Sequence, residues 1–118
     1  MPSDLIQVQT TVACLNTAQA MAEQILAERL AACVQISSAV TSHYVWEGKF
    51  QQQQEHVLAI KTVEPAWSRL KTLLQQIHPY DEPQIIALPI IKATDTFATW
   101  VIDQVPMPRL GKADDSEA

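Results

Sequence analysis

Two long strand-like segments, 33–46 and 49–63, lie on either side of a single glycine, Gly48, and they limit the folds open to this chain. The dipeptide Glu47-Gly48 fits a two-residue hairpin turn, so we expect the two segments to pair as antiparallel neighbours. At roughly 13 residues each, against a usual five or six, these strands are too long for a small sheet. Their overhanging edges should therefore need a partner.

The turn also predicts the register of the hairpin. A two-residue loop pairs Trp46 with Lys49 and Tyr44 with Gln51. The small residues at 37–39 separate two alternating phases of the first segment, which indicates a bulge there.

The rest of the chain alternates between strand and helix patterns. Asn16 or Thr17 is suited to cap the first helix, and Pro79 should end the second helix at about His78. The predicted elements are, in order, strand 5–12, helix 17–32, strands 33–46 and 49–63, a helix from 64 to about 78, strand 85–91 and a short helix 95–102.

This order, βαββαβ and then a short helix, is typical of the α+β ferredoxin-like sandwich. In that fold helices cover one face of the sheet, whereas segment 57–63 carries apolar side chains on both faces. We therefore predict an obligate oligomer that uses the hairpin for assembly. Residues 1–105 should form a single domain, and the proline-rich and acidic residues 106–118 should form a flexible tail.

Composition excludes several classes of function. The 118 residues include only two glycines, so no glycine-rich nucleotide-binding motif can be written. The net charge is −5 and the eight Lys and Arg residues are scattered, which argues against a nucleic-acid partner. The two cysteines lack CxxC spacing and no apolar segment is long enough to cross a membrane, so we expect a cytoplasmic protein without a membrane partner.

Three segments carry a recognisable pattern: ERLAACV at 28–34, YVWEGK at 44–49 and HPYDEPQIIALPI at 78–90. An aromatic-x-x-Trp pattern follows at Phe97 to Trp100. Across residues 5–102 the chain resembles the CutA family of divalent-cation tolerance proteins. The resemblance implies a ferredoxin-like fold, a homotrimer, an architecture similar to that of PII signalling proteins, and tolerance of copper or another divalent cation.

The resemblance also implies metal ligands, and this sequence departs from them. Copper-binding members carry a cysteine near the end of the first strand and two successive histidines before Pro-Tyr. Those positions fall on Thr10, Ile77 and His78, so His78 alone remains. Cys14, four residues from Thr10, is a second candidate ligand. We expect copper binding to be weak at most.

Other residues allow alternative interpretations. His78 could instead cap its helix, and Cys33 suits the core. Lys61 interrupts an apolar strand and needs a carboxylate, an anion or a subunit boundary. A PII-like cleft between subunits would bind a small anion through Lys61, Trp46, Tyr80 and Trp100. Aromatic residues near the hairpin turn are better suited to a trimer interface; they are Tyr44, Trp46 and Phe50.

No catalytic constellation is visible. There is no nucleophile elbow and no zinc-ligand spacing, and the adjacent acids Asp81 and Glu82 alternate in direction rather than forming an acid/base pair. The predicted function is therefore that of a non-enzymatic trimer for cation tolerance, with a PII-like anion sensor as the alternative.

Overall fold

The structure, a computed structural model, describes residues 4–106. Its elements are, in order, β1 (Leu5–Val12), α1 (Leu15–Ala27), β2 (Cys33–Ile36), β3 (Val40–Trp46), β4 (Lys49–Val63), α2 (Trp67–Ile77), β5 (Ile86–Pro89) and α3 (Asp95–Gln104). A 3₁₀ turn, Glu64–Ala66, joins β4 to α2. The predicted tail, except for Pro106, lies outside the described residues.

One antiparallel sheet organises the fold, in the strand order β2-β4-β1-β5. The central strand β4 pairs with β1 over 56–63 and with β2 over 58–61. Its first half, 49–55, pairs with β3 and extends beyond the other strands. The prediction of a mixed α+β fold is confirmed.

The hairpin has the predicted register, with Trp46 opposite Lys49 and Tyr44 opposite Gln51. Both turn residues have positive φ angles, 52° at Glu47 and 78° at Gly48. This is the left-handed geometry that lets a two-residue turn follow the twist of its strands. Residues 37–39 separate β2 from β3, where the bulge was predicted.

Helices α1 and α2 pack on one face of the sheet. Alternate residues of β1 and β4 point to this face, as the two-residue period of a strand requires. The buried core there consists of Ile6, Val8, Val12, Ala18, Met21, Ile25, Leu30, Ala31, Leu58, Ile60, Leu70, Leu73 and Leu74.

The described residues leave the opposite face of the sheet largely uncovered. Helix α3 closes only one end of it, in a second cluster around Leu5, Val63 and Val101. Farther along β4, Val57 and Ala59 are half-buried, although they belong to the same strand as fully buried residues. The second apolar face predicted for this strand is thus present, and residues 4–106 cover only part of it.

The prediction for the first helix was wrong at both ends. Helix α1 begins at Leu15 after Cys14, without a side-chain cap, and ends at Ala27 rather than at 32. Arg29 takes a left-handed conformation with φ 59°. The amide of Leu30 then donates to the carbonyl of Ile25, and that of Arg29 to Leu26. This is a Schellman motif without glycine, so the sequence contained no usual stop signal.

The other two helices follow the prediction more closely. Helix α2 ends at Ile77, and His78 after it is extended with ψ 134°, as expected for a residue before proline. Helix α3 begins after Thr94, whose hydroxyl accepts a hydrogen bond from the amide of Phe97. Within residues 4–106, no helix is long and apolar enough to span a membrane.

Candidate functional site

His78 is held at the end of α2, against the last residues of β1. Its side chain is 8% exposed. The helix places it there because Pro79 turns the chain out of helical geometry directly after it. The imidazole ring packs against Tyr80, with 4.9 Å between ring centroids.

Both ring nitrogens of His78 form hydrogen bonds. The backbone amide of Tyr80 donates to Nδ1 over 3.2 Å, so Nδ1 is an acceptor. Nε2 lies 3.1 Å from the carbonyl oxygen of Thr11, which can only accept, so Nε2 carries the proton. Oγ1 of Thr10 is a second partner of Nε2 at 3.0 Å. The geometry therefore specifies a neutral imidazole in the Nε2–H tautomer.

Burial lowers the pKa of His78, and the hydrogen bond to Thr11 and the charge of Glu55 oppose it. A metal ion needs an unprotonated ring nitrogen with a free lone pair. Neither nitrogen of His78 offers one without breaking a bond within the chain. Among residues 4–106, no group of three or more His, Cys, Asp or Glu side chains is arranged to hold a metal ion.

The position that the resemblance assigned to a cysteine ligand does lie at this site, since Thr10 contacts His78 directly. Cys14 is exposed before α1, and hydrogen bonds with Thr17 and Asn16 lower the pKa of its thiol. Cys33 is half-buried on β2.

A second polar cluster lies next to His78. The hydroxyl of Tyr80 donates to Oε2 of Glu55 over 2.7 Å and accepts a longer hydrogen bond, 3.4 Å, from Nε2 of Gln53. The hydroxyl of Tyr44 donates to Oε1 of Gln53 over 2.9 Å. Burial and Glu55 together raise the pKa of Tyr80 above its ordinary value, so the phenol stays neutral.

These side chains line a cavity of about 570 Å³ between the hairpin and the segment after α2. Its walls combine aromatic rings with carboxylates, and include Tyr44, Trp46, Glu55, Tyr80, Asp81 and Glu82. A cavity of this size accommodates a small organic molecule.

The structure brings together only part of the predicted anion site. Trp46 and Tyr80 both line the cavity. Lys61 lies far from Trp46 along the sheet. Trp46 pairs with Lys49, and Lys61 is twelve residues farther along β4, roughly 40 Å away at about 3.3 Å per residue. Its ammonium donates to Oε1 of Gln35 over 2.9 Å. Trp100 is on α3, 43% exposed.

Sequence reasoning did not single out Glu55 or Gln53 as functional residues. They are two residues apart on β4 and therefore share a face. The sequence feature that could have identified Glu55 is a carboxylate directly before the buried residues of the same strand. Its partner Tyr80 is 25 residues away, and only the folded chain shows the pairing.

Comparison with known sequences places this chain among cation-tolerance proteins. The family model for the CutA1 divalent ion tolerance protein matches residues 6–104. The divalent-cation tolerance protein CutA of Thermus thermophilus is 38% identical over 94 residues, covering 80% of this chain and 91% of that protein. The protein of the same name from Pectobacterium atrosepticum is 40% identical over 84 residues, covering 71% and 76%.

Solved structures agree with the sequence comparison. CutA1 from Oryza sativa superposes with a TM-score of 0.87 at 34% identity, covering 92% of this chain and all of that one. A periplasmic divalent cation tolerance protein CutA from Archaeoglobus fulgidus gives a TM-score of 0.83 at 28% identity, covering 86% and 99%. This chain therefore belongs to the CutA1 family of divalent ion tolerance proteins.

Proposed function

We propose that this chain acts as a non-enzymatic homotrimer in tolerance of divalent cations, with at most weak copper binding of its own. The observation that supports assembly is the part of the hairpin that extends beyond the sheet. There, among residues 4–106, β3 and residues 49–55 pair only with each other. Large apolar side chains are exposed along it, at Val40, Tyr44, Val45, Trp46 and Phe50.

Exposure of this kind is costly for a monomer. Phe50 is 91% exposed and Val45 61% exposed, close to the turn. Contiguous apolar surface of this sort marks an interface with another protein. An overhanging strand pair also offers backbone groups to a neighbour, and β-sheet pairing between subunits would satisfy them.

The edge of the sheet formed by β5 supports the same proposal. Strand β5 pairs only with β1, so its other edge is free within residues 4–106. Ile86 and Leu88 on it are 40% and 42% exposed, and Ile91 just after it is 78% exposed. We propose that the free edge and the overhanging hairpin of neighbouring ferredoxin-like subunits, each a single domain of residues 1–105, meet in the trimer.

Light scattering tests the trimer directly. We expect a mass near three times the 13.1 kDa of the chain. Phe50→Glu should lower that mass, because a carboxylate would replace an apolar side chain in the interface. The matched control is Leu26→Glu on α1, where a 42% exposed leucine lies away from the hairpin. A wild-type monomer would contradict the proposal.

Weak copper binding is the second part of the proposal. His78 lies in the family's most distinctive segment, but both of its nitrogens have partners within the chain. Titration with copper should show weak binding that His78→Ala reduces further. Tight stoichiometric uptake that survives His78→Ala would show that His78 is not the ligand.

The alternative function is that of a PII-like sensor of a small anion. Lys61 supports it, because its ammonium has a neutral partner, Gln35, on the uncovered face of the sheet. An anion could reach both Lys61 and Trp46 only in a cleft between subunits. A thermal-shift screen of nucleotides and organic anions tests this, since a ligand at 100 times its Kd adds about 2.7 kcal/mol. Stabilisation that Lys61→Ala abolishes would favour it, and a screen without stabilisation would count against it.

We also propose a cytoplasmic location. It is supported by the two free cysteines, Cys14 and Cys33. Since the Archaeoglobus fulgidus relative is described as periplasmic, fractionation of cells against a marker enzyme for each compartment is the direct test. Recovery with the periplasmic marker would overturn the proposal.

A further inference from the structure

The cavity beside the hairpin has a charge that neither copper binding nor anion binding uses. Three carboxylates line it, those of Glu55, Asp81 and Glu82. Its lining, as far as residues 4–106 describe it, contains no lysine and no arginine. The cavity should therefore attract positive charge and repel an anion.

Glu55 is the central group of this cavity. Its side chain is 7% exposed, and a buried carboxylate is costly unless it is paired. Oε2 accepts the hydrogen bond from Tyr80, whereas Oε1 has no donor among the described residues. No Lys, Arg or His side chain in the same part of the chain forms a hydrogen bond with Glu55, although its charge acts on the nearby His78. The carboxylate thus has an open position for a cationic donor.

The other walls select the kind of cation. The rings of Tyr44, Trp46 and Tyr80 line the same cavity, and aromatic faces attract ammonium groups and pack against methylene groups. A divalent metal ion instead requires several oxygen, nitrogen or sulfur ligands around one point. No such group of three occurs among residues 4–106.

We propose that this cavity binds a small aliphatic amine. One ammonium group pairs with Glu55, the carbon chain lies against the aromatic rings, and a second ammonium group faces Asp81 and Glu82. The lining residues belong to one chain, and the inference goes beyond the proposed tolerance function. Because Tyr44 and Trp46 also belong to the hairpin surface proposed for assembly, the inference requires that the trimer leave this cavity open. In this inference Trp46 and Tyr80 contact a cation, whereas the PII-like alternative places an anion beside them.

Calorimetric titration of the full chain with three probes tests the inference. The probes are 1,4-diaminobutane, succinate and 1,4-butanediol, which share a four-carbon chain and differ in charge. We expect saturable binding of the diamine alone. Binding should weaken as salt is added, because ionic interactions are screened.

Glu55→Gln removes the charge and keeps an acceptor for Tyr80, so it should raise the Kd of the diamine at least tenfold. The matched control is Glu23→Gln, the same change at an exposed site on α1, which should leave the Kd within twofold. Should Glu55→Gln not fold, the double variant Asp81→Asn and Glu82→Gln replaces it. Both positions are exposed, and the Kd should rise at least threefold.

Three results would overturn the inference. The first is no saturable binding of the diamine, as expected if a neighbouring copy's side chain filled the cavity. The second is diamine binding that none of the cavity variants weakens. The third is succinate binding tighter than diamine binding. The light-scattering mass and the copper titration test the proposed function by separate measurements, so failure of diamine binding is distinguishable from failure of the proposed function.

Discussion

The side chains of Thr10 and His78 are 68 residues apart in sequence and meet inside the fold, with 3.0 Å between Oγ1 and Nε2. Thr10 is fully buried in β1, and His78 ends α2. The contact joins the first strand to the segment that carries Tyr80 toward the cavity. The contact helps to orient the imidazole, while burial lowers its pKa and favours the neutral form. Two predictions concern this pair of residues.

The first prediction is a fall in stability at mildly acidic pH. Burial lowers the pKa of folded His78 below its ordinary value of 6.5, so the unfolded chain takes up the proton first as pH falls. The contribution of neutral His78 to the free energy of unfolding is therefore complete above about pH 6.5. It is lost as the pH decreases toward the folded-state pKa. Urea unfolding at fixed protein concentration, at several pH values from about 7.5 to 5, measures this.

The matched variants for this experiment are His78→Asn and His43→Asn. His43 lies on β3 and is exposed. We expect His78→Asn to flatten the pH dependence of the free energy of unfolding and His43→Asn to leave it as in the wild type. A wild-type dependence retained in His78→Asn would contradict the assignment.

The second prediction concerns copper. Thr10→Cys puts a thiolate, which is a soft ligand suited to Cu(I), beside His78. We expect at least a tenfold gain in Cu(I) affinity over the wild type, measured by competition with a chromophoric chelator. The control is Thr11→Cys, on the adjacent residue of β1, whose side chain points to the opposite face. Equal gains in both variants would indicate thiol binding without His78.

The third prediction compares the two tyrosines of the cavity. Tyr80→Phe removes the donor to Oε2 of Glu55, which is 7% exposed, and should destabilise the fold by about 1–3 kcal/mol. Tyr44→Phe removes an exposed hydroxyl that bonds to Gln53, and should cost less than about 0.5 kcal/mol. Denaturant unfolding of both variants checks the difference, and equal costs would refute it.

The fourth prediction is a stabilising change in the hairpin turn. Glu47 has φ 52°, a conformation that asparagine adopts more readily than glutamate. Glu47→Asn creates an Asn-Gly turn and should raise the midpoint of thermal unfolding, for a gain of about 0.5 kcal/mol. Glu47→Ala, which lacks a side-chain polar group, should give no such gain. A lower midpoint for Glu47→Asn would contradict the turn geometry.

Local patterns were enough to predict most elements. The strand β4 has the predicted bounds, and the hairpin register follows from Glu47-Gly48. Helix α1 was wrong because its stop is Arg29 in a left-handed conformation, which glycine usually adopts. A local rule fails where a residue other than glycine takes the left-handed conformation at a helix end.

The sequence by itself determined the mixed α+β fold and the family, because hydrophobic periodicity, turn residues and signature segments are local properties of the chain. Only the tertiary structure decided the chemistry of the site. In the folded chain both nitrogens of His78 have hydrogen-bond partners, and Glu55 is buried beside Tyr80 in a cavity whose lining, within residues 4–106, contains no lysine or arginine. Hydrogen bonding and desolvation depend on which distant residues meet, and the folded chain alone specifies those neighbours.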